Sequence, residues 1–312
     1  MSVMDASQAA ALARVIAVAN DKGGVGKTTI SANLGSTLAR EGYKVCLVDL
    51  NRQANLADDL GYRDTEIDDQ GAALLLSIMT GRTLQAVPVP GRADLFVVPG
   101  GTALTDLTGV MVGRVQQHGR SAMLTLAAVL AEAAAPYDLV IIDTPPENTL
   151  LIDLALGAAR WLLMPTKTDG GGLVGMRLLA ERYAIAREIN PSLGLLGVVL
   201  FGTSRSATAI HRDVRAKVEA AFGAGASPVL TAIIGHSERV AKDARELGMT
   251  AYELAAAAAS QPAWWHALRT GEGGTSEPRI SATASTVAGD FDKLGREVLQ
   301  LLAAAESREA QA

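Results

Sequence analysis

Apolar residues fall along this 312-residue chain in two rhythms. One is the short, nearly continuous run: VIAVAN over 15–20, KVCLVDL over 44–50, DLFVVPG over 94–100, YDLVIIDTPP over 137–146, ARWLLMPT over 159–166 and LGLLGVVLF over 193–201. Each has strand length, and runs apolar at consecutive positions are what strands buried on both faces require. The other rhythm has helical spacing. Thr28 to Arg40 brings Ile30, Leu34 and Leu38 to one face, residues 70–80 read as a helix, and MLTLAAVLAEAAA over 123–135 reads as another. Strand and helix alternate. That order predicts an α/β fold: a mostly parallel sheet with helices on both faces, right-handed connections, and ligands at the carboxyl ends of the strands.

The last fifty residues break this rhythm. QPAWWHALRTGEGGTSEPRIS (261–281) is rich in Gly, Pro and Ser and reads as a linker, with Trp264 and Trp265 a packing anchor or a partner contact. After it Val287, Phe291, Leu294, Val298 and Leu301 recur at helical spacing, predicting one amphipathic helix packed on the main domain. The chain divides on this reading into an extension (1–13), a main domain (14–260), and a linker with a C-terminal helix (261–312). A membrane-surface helix carries Lys and Arg beside its apolar stripe. This one ends in the nearly charge-balanced AAAESREAQA, so no membrane anchor is expected.

Composition narrows the classes further. A net charge of -5 argues against a surface given over wholly to nucleic acid but leaves room for a basic patch. Cys46 is the single cysteine, which excludes a disulfide framework or a cysteine-held cluster within one chain and fits a reducing cytoplasm. His118, His211, His236 and His266 are scattered, without metal-ligand spacing. The N-terminus MSVMDASQAAALAR lacks the apolar core of a secretory signal, and no run reaches the ~20 apolar residues of a membrane span. A soluble, cytoplasmic protein without internal repeats is expected.

The candidate chemistry sits between the first strand and the first helix, in NDKGGVGKTT (20–29). A phosphate loop reads G-x-x-x-x-G-K-[ST] in this context. Asp21 stands where the first glycine would be, so the motif is a variant. Gly23, Gly24 and Gly26, with Val25 between them, let backbone N–H groups turn toward phosphate oxygens. The following helix start adds a favourable dipole. Lys27 would sit between the terminal phosphates, the Thr28 hydroxyl would ligate Mg²⁺, and Thr29 completes the string. Asp143, at the end of YDLVIID, could hold the metal through water. A dinucleotide fingerprint G-x-G-x-x-G competes, with Asp49 as its ribose acid, but Thr29 occupies its third glycine and Lys27 has no role there.

KGGVGKTT, VDLNRQANLADDLGY and YDLVIIDTPP together resemble the deviant phosphate-loop ATPases of the ParA-type partition family, in the MinD/ParA superfamily. The resemblance spans about residues 14–256 and takes in LLMPTKTD (162–169) and IIGHSERVAKDARELG. It implies that Lys22, the second lysine of the loop, reaches the nucleotide of a partner copy in an ATP-dependent homodimer. It implies catalysis by Lys22, Lys27, Asp49 and the residue at 51, a base contact near Pro165, and cofactors ATP and Mg²⁺. It also implies non-specific binding of double-stranded DNA on the nucleoid, a ParB-like centromere-binding partner, and a role in plasmid or chromosome segregation. With some fourteen residues before the first strand, the chain resembles the small type that lacks an N-terminal helix-turn-helix domain. Residues 203–247 hold seven Lys and Arg against five Asp and Glu, a net +2 against -7 elsewhere. The resemblance places the DNA contacts there, with Arg205, Arg212, Arg239 and Lys242 as candidates.

The chain departs from the family after the second strand. The usual D-x-D-P-Q-G-N reads Asp49-Leu50-Asn51-Arg52-Gln53-Ala54-Asn55. Asparagine hydrogen-bonds a water but cannot take its proton, so hydrolysis is expected to be slow, in a natural switch or in a chain altered at this position. Three rival readings share the fold. They are a MinD-like membrane-surface ATPase, an iron-protein-like redox ATPase, which needs two cysteines, and a non-hydrolysing regulatory module.

Overall fold

Successive residues of the central strands face opposite sides, and both sides are covered. Val15 and Ala17 pack into one core while Ile16 and Val18 pack into the other; Cys46 and Val48 part from Val45 and Leu47 in the same way. That is why these strands read as continuous apolar runs instead of alternating ones. The computed structural model describes residues 3–204, 207–222, 229–261 and 280–311.

Among the described residues eight strands form one sheet: β1 (Val15–Val18), β2 (Val45–Asp49), β3 (Val87–Pro88), β4 (Leu95–Val98), β5 (Leu139–Asp143), β6 (Trp161–Thr166), β7 (Gly194–Thr203) and β8 (Val229–Gly235). Their spatial order is β3-β4-β2-β5-β1-β6-β7-β8, all neighbours parallel except β3, which is antiparallel to β4. The chain reverses its direction of travel across the sheet at β1, so the loop after β1 opens at a topological switch point.

One face carries α1 (Ala6–Ala11), α4 (Ala72–Thr80), α5 (Leu104–His118), α6 (Thr125–Ala134), α7 (Thr149–Ala158), α8 (Gly170–Ala186) and α9 (Thr208–Phe222). The other carries α2 (Lys27–Arg40), α3 (Asn55–Leu60), α10 (Glu238–Leu247), α11 (Ala251–Ser260) and α12 (Ala284–Glu309). Among the described residues no helix is long and apolar enough to cross a membrane.

The C-terminal helix is part of the second core. Val287, Phe291, Leu294 and Val298 are buried on it; the stripe continues through Leu302, with Leu301 only half-buried, because a 3.6-residue turn from Val298 reaches 302. Its polar face is pinned as well. Arg14 meets Glu306 and Arg40 meets Asp292, each at 2.7 Å, and Arg160 pairs with Glu309. α12 also covers β8, a sheet edge whose free N–H groups would otherwise seek another strand. The Glu297 carboxylate accepts from Thr231 N and Ala232 N at 2.8 Å, and Asp290 accepts from Gly235 N at 3.1 Å.

The six apolar runs all become strands. β3 and β8 are additions: β3 has two residues, too few to leave a pattern, and β8 is an edge strand with exposed Thr231 in its middle. The helix expected over 123–135 divides into a 3₁₀ turn at Gly119–Leu124 and α6. Trp264, Trp265 and most of the expected linker lie outside the described residues.

Candidate nucleotide site

The loop between β1 and α2 is shaped by left-handed glycines. Gly24 has φ +71° and Gly26 +90°, conformations a side chain strains, and a Cβ on Gly26 would also stand 2.5 Å from the Phe201 ring. Asn20 buttresses the loop from below. Its amide donates to Pro165 O at 2.8 Å, and its Oδ1 accepts from Lys22 N at 3.0 Å. Asp21, where the standard phosphate loop has its first glycine, has a structural partner: Arg182 of α8 lies 3.3 Å away and reaches on to Asp153 of α7. Val25 is buried in the protein, so its N–H rather than its side chain is available to a ligand.

Lys27 opens α2 and is buried. Its ammonium donates to the Lys22 carbonyl at 2.9 Å, a neutral partner. Burial pushes its pKa down, opposed by the charges of Asp143, Asp21 and Glu147. A cation at a helix N-terminus is also disfavoured by the dipole. Loop amides and this ammonium together suit an anion, and a nucleotide phosphate fits them.

The strand ends supply the opposite charge. Asp49 and Asp143 are register partners on β2 and β5, and both are fully buried. Asp143 accepts from Thr28 Oγ1 at 2.7 Å and from Ser31 Oγ at 3.0 Å. Burial lifts its pKa to about 6 against those two hydrogen bonds. Asp49 is pushed well above the carboxylate range, first by burial and then by the Asp143 charge. Asp49 Oδ2 has no hydrogen-bond partner among the described residues. Two crowded carboxylates beside a threonine hydroxyl form a hard-oxygen donor set, and a divalent cation such as Mg²⁺ fits it.

The loop after β2 is folded around Asn51. Its N–H donates to Asp49 Oδ1 at 2.7 Å, and its Oδ1 accepts from Gln53 N at 3.0 Å. Ala54 stands where the family has glycine and keeps the left-handed backbone, φ +48°, at the cap of α3. Arg63 braces this strained turn, donating to Gln53 O at 2.9 Å and Ala54 O at 2.7 Å. Lys22 lies at the rim, its ammonium 3.1 Å from Asp169 of the same chain.

Beside Thr29 and Asn33 of α2 opens a cavity of about 210 Å³, walled by Phe201, Ile234, His236, Val240 and Phe291. Pro165 is not on that wall; it is buried within β6, where its carbonyl serves Asn20. The cavity is lined instead by the ends of β7 and β8 and by α12. Sequence reasoning also missed Ser31, Asn20 and Arg63. Ser31 was within reach: it lies one turn from Thr28, on the same helix face.

Among the described residues, the DNA candidates Arg212, Arg239 and Lys242 do not form one cluster. Arg205 lies outside the described residues. Arg212 is exposed on α9, while Arg239 and Lys242 are exposed on α10, across the sheet. Arg239 stands 3.5 Å from Asp243, and Lys242 stands 3.6 Å from Glu246, each one helical turn on.

Residues 13–195 match a family described as an AAA domain. The chain is 34% identical to the chromosome partitioning protein ParA of Caulobacter vibrioides over 233 residues, 73% of this chain and 83% of that one. It is 26% identical to a cobyrinic acid a,c-diamide synthase from Mycobacterium smegmatis solved with bound ADP and magnesium, with a TM-score of 0.58 over 75% of this chain and 92% of that one. Apo McdA of Cyanothece shares the fold, with a TM-score of 0.66 at 21% identity over 92% of this chain and 99% of that one. With a glycine loop carrying two lysines, paired strand-end aspartates and these relatives, the chain belongs to the ParA-type family of deviant phosphate-loop ATPases.

Proposed function

We propose that this protein is a partition switch. It binds ATP with Mg²⁺, dimerises across the nucleotides, holds double-stranded DNA without sequence preference, and lets go when a ParB-like partner stimulates hydrolysis. In a cell this would put it on the nucleoid and make plasmid or chromosome segregation its task. The observation that carries the reading is Lys27: a buried ammonium bonded to a loop carbonyl, beside Thr28, whose hydroxyl meets an aspartate 115 residues further along the chain. Lys27 and the amides of residues 23–29 would hold the terminal phosphates. Thr28 and Asp143, the latter through water, would hold Mg²⁺, which neutralises phosphate charge and fixes its orientation. Lys22, half-buried at the rim, would add a cation to the nucleotide of the second copy.

Asn51 supports slow turnover. It is buried next to Asp49, and its Oδ1 is engaged by Gln53 N, so it cannot take a proton from an attacking water. Arg212, Arg239 and Lys242 would supply phosphate contacts together only when two copies bring several such residues to one duplex, because each copy alone presents Arg212 on one face and Arg239 with Lys242 on the other.

Sedimentation with ATP, ADP or no nucleotide, followed by retention on random-sequence DNA at low and high salt, tests the proposal. An ATP-specific dimer, retained by DNA at low salt and released at high salt, is expected. Lys22→Ala should bind ATP with little change yet stay monomeric. Equal DNA retention in ADP, or a normal ATP dimer of Lys22→Ala, overturns the reading.

A further inference from the structure

Lys22 is seated along its own chain. Its side chain runs across the start of α8, where two glycines one turn apart leave room for it. A methyl on Gly171 would overlap the Lys22 ammonium, and one on Gly175 would come within 3.0 Å of Lys22 Cβ and 2.5 Å of Asn20 Oδ1. At the end of this path the ammonium meets Asp169 at 3.1 Å. Both partners are reachable from outside, with side chains 36% and 54% exposed. α8 is fixed against the loop further along, where Arg182 bridges Asp21 and Asp153. The backbone of Lys22 is fixed too, by Asn20 on its N–H and Lys27 on its carbonyl. Only the side chain is left to swing.

We propose that Asp169, Gly171 and Gly175 form a holding slot for Lys22, keeping the lysine on its own chain until the triphosphate of a second copy displaces Asp169. The inference rests on the dimer reading above. Asp169 is then a positioning residue: it never touches nucleotide, and it sets how much protein is needed before copies pair. The competition is chemically simple. One exposed carboxylate offers a single negative charge in a screened setting, worth little. The terminal phosphates of ATP offer several, in a closing and drier interface. ADP lacks the terminal phosphate and leaves the lysine in its slot. The same contact thus opposes pairing in the ADP state and yields in the ATP state.

The full-length chain tests this with Asp169→Asn, Asp169→Glu and Gly171→Ala, measured by sedimentation across protein concentration in ATP and by nucleotide titration of the monomer. Two such pairs are broken per dimer. Asp169→Asn should therefore dimerise in ATP at roughly fivefold lower protein concentration. Asp169→Glu should fall back toward the wild type, and Gly171→Ala, which fills the slot, should shift the same way as Asp169→Asn. Nucleotide affinity of the monomer should stay within about twofold in all three, a split that a general loss of structure would not give. If wild type forms a Lys22-dependent ATP dimer and Asp169→Asn pairs at the same or higher concentration, the slot is overturned and the dimer reading stands. If wild type stays monomeric in ATP, or Lys22→Ala pairs normally, both fall together.

Discussion

Lys27 and Arg239 are both cations in the first turn of a helix that follows a sheet strand, yet their surroundings are opposite. Lys27 is buried and bonds a neutral carbonyl. Arg239 is exposed, with Asp243 one turn away. Water screens the second arrangement, and an acid at i+4 adds a few tenths of a kcal/mol. Arg239 is thus at ease in the isolated chain and needs no ligand to explain it. Lys27 is not at ease, since burial and the helix dipole both act against its charge. A site of chemistry shows itself here by an ionisable group that its own chain leaves badly served. A surface used for non-specific contact shows no such sign, and its role emerges only in an assembly.

The sharpest way to break this comparison is Lys27→Ala. Removing a charged hydrogen-bond donor to phosphate costs about 3 kcal/mol, so nucleotide affinity should drop by about 100-fold or more. The nucleotide-free protein should unfold at the same temperature or higher, because a poorly paired buried charge is gone. Titration and thermal unfolding measure the two effects. Unchanged affinity would remove Lys27 from the site, and marked destabilisation would show that its bond to Lys22 O is structural.

The same contrast explains what could be read in the sequence. The phosphate loop and the Asp143 strand are local: glycine spacing, a β-branched run and a strand-end acid carry them, and the fold places Thr28 and Asp143 in contact. The groups that hold these loops in shape are not local. Asn20 meets the Pro165 carbonyl across 145 residues, and Arg63 clasps a turn ten residues away. Nothing in their neighbours announces this. Phe201, His236 and Phe291 come from β7, the end of β8 and α12, and meet only because those elements converge beside α2. In the α9–α10 region a charge count was legible but no arrangement. The +2 balance conceals that α9 and α10 lie on opposite faces.

A second test uses pH. Asp143 ionises near 3.8 when unfolded and at about 6 in the fold, because burial penalises its charge. Asp59, also buried, is lifted to about 6. Between these values the native chain binds more protons than the unfolded one, so stability falls as pH rises through that window, and Asp49, also pushed well above its usual range, adds to the fall. Glu253 opposes weakly: despite burial, Arg92 and the capping N–H of Thr250 hold it below its usual value. The nucleotide-free protein should therefore unfold at higher temperature at pH 5 than at pH 7. Asp143→Asn should remove up to about 3 kcal/mol of that slope. Nucleotide with Mg²⁺ should flatten it too, since a cation favours the charged carboxylate. Greater stability at pH 7 in the nucleotide-free wild type would contradict the buried-pair account.

Asn51→Asp sharpens the picture of the same cluster by adding a third acid next to Asp49 and Asp143. Two opposed effects are expected. Phosphate release in ATP, with DNA present, should rise by about threefold to tenfold, because the new group can take a proton. Stability without nucleotide should drop by about 1 kcal/mol through like-charge crowding. An equal rate would make this departure from the family pattern catalytically silent, and an unchanged melting temperature would mean the new carboxylate stays protonated.

The smallest effects belong to the surface. Lys242→Ala breaks an exposed pair one turn long and should alter stability by no more than about 0.5 kcal/mol, and Arg239→Ala, whose partner Asp243 is mostly covered, by up to about 1 kcal/mol. Arg245→Ala supplies the internal contrast on the same helix. Arg245 reaches Asp59 at 3.5 Å, and Asp59 is buried. Leaving that carboxylate without its cation should cost more, about 1–3 kcal/mol, and least at low pH, where Asp59 is protonated. DNA retention in ATP separates the residues a second way. If Arg239 and Lys242 touch phosphates, each loss should weaken binding equally on every sequence and lower the slope of log affinity against log salt by about one. Retention and slope both unchanged in the double variant would leave α10 a solvated face whose charges serve only one another.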